Sequence, residues 1–117
     1  MADQRLIYKI LTEDQWQTAL TQNIFKGASV DLADGYIHFS TAKQTRETVA
    51  KHFHGQKNLV LLAVDATLLG DDLKWEPSRG GALFPHLYAD LCLQCIVETW
   101  DLKDNADGSH EFPEAIP

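Results

Sequence analysis

Apolar and polar positions change their period several times along the chain, and the changes mark out its elements. Arg5–Leu11, RLIYKIL, is rich in β-branched and aromatic residues and reads as a first strand. Trp16, Ala19 and Leu20 then recur at helical spacing, so that face of a helix belongs to the core. Thr12 with Gln15 fits a capping box at its start, and Glu13 and Asp14 suit the positive helix end. The helix is expected to stop near Asn23, ahead of Lys26-Gly27. Ser29–Gly35, SVDLADG, reads as a short connector closed by the turn dipeptide Asp34-Gly35. Tyr36–Ser40 alternates as a strand does: Ile37 and Phe39 point to the core, and Tyr36, His38 and Ser40 point the other way.

A second helix follows at once. Thr41 with Gln44 repeats the capping box, Ala42, the Arg46 stem, Val49 and Phe53 form its stripe, and Gly55 is a natural stop after His52. Asn58–Asp65, NLVLLAVD, is almost continuously apolar and reads as a central strand buried on both faces. Asp65 is placed to cap a single turn, Ala66–Leu69, closed by Gly70, and Leu73–Trp75 reads as a short strand. Lys74–Tyr88, KWEPSRGGALFPHLY, carries two prolines and two glycines and reads as an irregular, functional loop. Leu91–Leu102 reads as one long last strand, and the acidic stretch 104–117 as a surface tail, partly ordered if Phe112 docks. Strands and helices interleave without the regular period of a doubly wound sheet. The expected class is therefore α+β: a bent, mostly antiparallel sheet with two main helices, in one domain over 1–103.

Composition narrows the function classes. At 117 residues the chain is long enough to bury a core without staples. Its net charge of −7 argues against non-specific nucleic-acid binding and against an anionic membrane surface. No apolar run approaches the roughly 20 residues of a membrane span. The polar start MADQRL shows no export signal, so a reduced, cytoplasmic setting is expected. Cys92 and Cys95 form a CxxC. Read on a strand, residues three apart face opposite ways, which points to two packing thiols and away from a bridge or a shared metal. His38, His52, His54 and His86 show no metal-ligand spacing.

The polar side chains gather at two places. The strand face carrying His38 and Ser40 runs into a helix start, an arrangement suited to an anion. His86 and Tyr88 share a strand face if Leu87 points inward. Glu76, between Trp75 and Pro77, is placed for desolvation and a raised pKa, as an acid or base needs. Arg79 before Gly80-Gly81 suits a phosphate. Each also has a plain alternative: His38 as a surface imidazole after a turn, His86 as a half-exposed strand residue, Glu76 as a solvated carboxylate.

DGYIHFSTAKQTRETVAKHF together with WEPSRGGALFPHLYADL resembles the signature of a mostly bacterial family, domain-of-unknown-function family 952 (DUF952), which is similar in fold to the ADP-ribosyltransferases. The resemblance runs from Ile7 to about Val97. In that larger group a strand-borne His or Arg near a Ser or Thr binds the ribose of NAD, an aromatic or His on a second strand stacks on nicotinamide, and often a Glu follows on a third. The resemblance matches His38 with Ser40 to the first position and His86 or Tyr88 to the second. The third lies between Glu76, which precedes His86 in the chain, and Glu98. Taken together with the reading of the residues, the expected catalytic set is His38, Glu76 and His86, the expected nucleotide-binding set is Ser40, Thr41, Arg79, Gly80 and Tyr88, the resemblance implies NAD as the substrate nucleotide, and no metal is expected. The other readings the residues allow are a non-catalytic module for a nucleotide or phosphorylated metabolite, and a hydrolase using Glu76 with His86. Oligomeric state is left open.

Overall fold

The computed structural model describes residues 5–114 and residue 116, except for the side chain of Arg79. Strand β1 (Leu6–Thr12) leads directly into helix α1 (Glu13–Gln22). The junction is fixed by the capping box: Thr12 Oγ1 accepts the Gln15 N–H at 3.1 Å, and the Thr12 N–H donates to Gln15 Oε1 at 2.9 Å. Asn23 ends the helix in the left-handed region, and β2 (Ile24–Phe25) follows.

The segment SVDLADG is a helix, α2 (Ser29–Asp34), not a connector. What holds so short a helix is local. Asp31 reaches back to the Ala28 N–H at 2.8 Å, and Gly35, at φ 88°, closes the other end as a left-handed cap. Gly27 is needed for close approach: a Cβ there would sit 3.0 Å from Asp31 Cβ, at a φ of +119°.

The two-residue strand β3 (Ile37–His38) and α3 (Ala42–His52) come next, with Thr41 and Gln44 forming the second capping box. Strand β4 (Leu59–Asp65) is central, and every residue from Leu59 to Val64 is buried. Val60, Leu62 and Val64 pack with Ile7, Leu11, α1 and Phe25 on one face. Leu59, Leu61 and Ala63 pack with Tyr8, Ile10 and the Val49 side of α3 on the other. Burying side chains of this size stabilises by about 1.5–3 kcal/mol each, which explains the lack of a polar face.

The stretch expected as an irregular loop is a β-hairpin. Strand β5 (Leu73–Pro77) pairs with β6 (Leu83–Leu87) from Leu73↔Leu87 to Pro77↔Leu83, and Gly80 and Gly81 supply the positive φ of its tip. Pro85 is tolerated because β3 ends opposite His86. Pro85 offers its carbonyl to the Phe39 N–H at 3.0 Å and has no N–H to extend the ladder.

The expected last strand is also broken. It comprises β7 (Leu91–Cys92), a 3₁₀ turn at Leu93–Cys95, and β8 (Ile96–Asp104). The segment after β8 packs onto the domain. Strand β9 (His110–Glu111) pairs with β8, Phe112 docks under the Arg46 guanidinium at 4.7 Å, and Ile116 is buried.

Strand order is β1-β4-β8-β9 in one sheet, β3-β6-β5 in a second and β2-β7 in a third, with every pairing antiparallel. The first two sheets join through one isolated bridge, Tyr8↔Ser40, with N–H to O distances of 2.8 and 2.9 Å. The architecture is thus α+β, a curled antiparallel sheet with α1 and α3 as its longer helices. No helix among the described residues is long and apolar enough to cross a membrane.

Candidate functional site

Beyond the Tyr8–Ser40 bridge, β1 and β3 part. Lys9 and Ile10 lie on one side of the gap, and Phe39 and His38 on the other. A cavity of about 460 Å³ opens there, of a size usual for small-molecule sites. Tyr8, Phe53 and Phe84 give it apolar walls, while Lys9, His38, Ser40 and His86 give it polar ones. Gln44, at the start of α3, donates through Nε2 to the Leu83 carbonyl at 2.8 Å and ties the hairpin across it.

His38 and His86 are direct partners in the β3–β6 ladder, so both rings stand on the face opposite Ile37 and Leu87. Their surroundings differ. His86 is only 3% exposed. Tyr36 stacks on it at 4.2 Å, and Tyr88 lies 5.1 Å from Tyr36, ring centroid to ring centroid. Glu76 sits diagonally across the β5–β6 hairpin and meets His86 Nδ1 through Oε1 at 2.8 Å. The Tyr88 hydroxyl donates to the same oxygen, also at 2.8 Å. Oε2 takes part in neither bond.

These contacts correct the expectation for Glu76. Its pKa is lowered, not raised. The hydrogen bond from His86 contributes most, the one from Tyr88 adds to it, and the small desolvation works the other way. The hydrogen bond to Glu76 is also the main reason that Tyr88 is pushed up to about 12. Glu76 is therefore an anionic acceptor held by two donors. It is not the poised acid that a hydrolytic Glu76–His86 pair requires.

His38 is half-buried and stands between carboxylates. Nδ1 is 2.6 Å from Asp31 Oδ1, and Nε2 is 2.9 Å from Asp34 Oδ2. Such a ring donates at both nitrogens only in its doubly protonated form. Asp31 is the centre of this network. It is 2% exposed, lies 3.0 Å from Lys9 Nζ, and accepts the backbone N–H of Ala28 and His38. Burial pushes its carboxyl up, but the hydrogen bond from His38, the charge of Lys9 and the two backbone donors outweigh that and bring it to about 2. Lys9 is lowered, chiefly by burial, with Asp31 opposing. The place expected to suit an anion beside His38 is thus occupied by two acidic side chains.

The other candidates are spread around this centre. Ser40 lines the cavity, and its hydroxyl lies 2.9 Å from Thr48 Oγ1. Thr41 is committed to its cap, accepting the Gln44 N–H at 3.3 Å. Gly80 is exposed at the hairpin tip beside Ser78, a cavity residue. The Arg79 side chain, expected to hold a phosphate, lies outside the described residues. Glu98 is exposed on β8 and has no contact with this group in the register, opposite Ala63 of β4. Tyr36, Asp31, Asp34 and Lys9 were not in the expected set. A lysine inside the apolar run RLIYKIL was the available signal, because a lysine buried there needs an acid.

Solved structures share this fold. The crystal structure of protein CC0527 from Caulobacter crescentus superposes with a TM-score of 0.88 at 56% sequence identity, covering 91% of this chain and 93% of that one. The solution NMR structure of CC0527 gives a TM-score of 0.80 at 57% identity, covering 89% and 90%. No curated protein matches. Residues 10–99 match the family model described as Protein of unknown function (DUF952). With that match spanning most of its length, the chain belongs to the DUF952 family.

Proposed function

We propose that this domain binds NAD or a related nucleotide in the cleft where β1 and β3 part, and that it transfers ADP-ribose by breaking the nicotinamide–ribose bond. The observation that carries the proposal is Glu76. It is a carboxylate kept ionised by Tyr88 and by His86, a residue of the cleft wall, and it stands beside an aromatic group of Tyr36, His86 and Tyr88. In such a transfer the C–N electron pair leaves with the nicotinamide, the ribose develops oxocarbenium character, and a nucleophilic atom of the acceptor forms the new bond to the anomeric carbon. A fixed anion near the ribose hydroxyls stabilises that charge in the transition state, and a preorganised one does so without reorganising. A lowered pKa suits this role and does not suit general acid catalysis. His38 and Ser40 stand on the cavity wall where the resemblance to ADP-ribosyltransferases assigns ribose contacts. Stacked rings beside the carboxylate offer a face to the cationic nicotinamide ring.

The test is a thermal-shift panel of NAD, ADP-ribose, nucleotides and sugar phosphates, followed by assay of free nicotinamide. A bound ligand stabilises by RT ln(1 + [L]/Kd), so weak binders register at high concentration. Stabilisation by NAD with release of nicotinamide supports transfer. Stabilisation without release makes the domain a non-catalytic nucleotide module. No response to any nucleotide overturns the proposal.

A further inference from the structure

The 3₁₀ turn that interrupts the last strand changes the relation between the cysteines. On a continuous strand Cys92 and Cys95 face opposite ways. Here Cys92 is the N-cap of the turn and Cys95 its last residue, so the chain between them is wound i to i+3. Turns of that span bring their end residues within about 7 Å, Cα to Cα. A disulfide needs about 4.4–6.8 Å. Both thiols are free, and Cys92 Sγ donates to Gln94 Oε1 at 2.8 Å within the turn. Their exposure differs: Cys92 is open to solvent, while Cys95 is half-buried against the core that contains Leu91. An exposed cysteine contributes little to packing, so packing does not account for Cys92.

We propose that Cys92 and Cys95 form a thiol–disulfide site, with Cys92 the thiol that attacks hydrogen peroxide and Cys95 the thiol that resolves it. Cys92 sulfur attacks the peroxide, the O–O bond breaks, and the departing hydroxide takes a proton to leave as water. The Cys92 sulfenic acid is then attacked by Cys95 sulfur. The S–S bond forms, the S–O bond breaks, and a second water leaves with the Cys95 proton. The two thiols lose two electrons, and the peroxide gains them. Burial is the first cause of the raised pKa of Cys95, and the neighbouring Cys92 adds to it, which makes Cys95 the poorer initial nucleophile. The site does not depend on the nucleotide proposal. Its place in the fold is defined: Cys92 pairs with Ile24 in the β2–β7 ladder, next to the segment that leads to Asp31.

The experiment is exposure of the reduced full chain to hydrogen peroxide, read by intact mass and by peptide mapping. The expected product has lost two hydrogens, contains a Cys92–Cys95 linked peptide, and returns to the dithiol with a reductant. C92S forms no bridge. C95S accumulates a sulfenic acid at Cys92 that dimedone traps, whereas the parent gives little dimedone adduct. A parent that stays a dithiol under peroxide overturns the proposal. So does a parent that gives the same Cys92 adduct as C95S or passes straight to sulfinic acid, since Cys95 then resolves nothing.

Discussion

His38 and His86 stand directly opposite each other on β3 and β6, with ring centroids 5.4 Å apart and edge to face. The ladder makes them partners, but the packing gives them different work. His86 is sealed under Tyr36 and bound to Glu76, while His38 is half-buried between Asp31 and Asp34. By strand alternation alone both rings stand off the core, and each would be replaceable at about 1 kcal/mol or less. For His86 that expectation does not survive its burial. His86→Ala empties a covered site and strips Glu76 of a donor, so a loss of about 1–3 kcal/mol is expected. His38→Ala should cost less, because Asp31 keeps Lys9 and two backbone donors. Urea midpoints of the two variants, measured side by side, check the order.

Asp31 should dominate the acid sensitivity of the fold. Its folded pKa of about 2 lies below the ordinary carboxyl value of 3.8, so its contribution is fully present above about pH 4. It is lost as the pH falls from there through about 2. Asp31→Asn should remove that part of the pH dependence. At neutral pH it should also cost about 3–5 kcal/mol, because Lys9 is left buried without its partner charge. Stability against pH for parent and variant, by urea denaturation, reads both effects.

The Tyr88–Glu76 bond has a spectroscopic signature. Tyr88 is pushed up to about 12 by Glu76, so in a tyrosinate titration it should ionise well after an ordinary tyrosine at about 10. In Glu76→Gln the anionic partner is gone, and Tyr88 should move back towards the ordinary value. Tyr36 is raised as well, by burial first and by Asp34 and Glu76 after it, and should shift less in the same variant. Residue-resolved NMR titration distinguishes the two rings.

Much of the fold was legible because its signals are local. Both capping boxes, the alternation at Tyr36–Ser40 and the unbroken apolar run of β4 appear where the sequence placed them. The face shared by His38 and His86 was legible for the same reason, since strand alternation fixes it. What was missed depends on partners distant in the chain. SVDLADG carries turn residues, and only the reach of Asp31 to Ala28, Lys9 and His38 makes it a helix and a hub. KWEPSRGGALFPHLY looks irregular because its prolines are read one at a time. In the structure Pro77 ends an edge strand, and Pro85 sits where β3 has run out. Glu76 was expected to lose a proton less easily, on the evidence of its apolar neighbours in sequence. The donors that decide the matter, His86 and Tyr88, come from the other side of the hairpin.

The segment after β8 is part of the core on the α3 side. Ile116 is 1% exposed, and its carbonyl accepts from the Arg46 guanidinium at 2.8 Å. Ile116→Ala should therefore destabilise by about 2–5 kcal/mol, as for other buried truncations, whereas a surface tail would show almost none. A single thermal or chemical denaturation series decides between them.

The central claim is that Glu76 acts as a preorganised anion at a nicotinamide–ribose bond. The most direct measurement is the rate of nicotinamide release from NAD by the parent and by Glu76→Gln, with NAD affinity measured in parallel. The parent should release nicotinamide, and the variant should bind NAD nearly as well but release it at least about 100-fold more slowly, the scale of loss for one preorganised transition-state contact. Equal rates in the two proteins, or a parent that binds NAD and releases nothing, would contradict the claim.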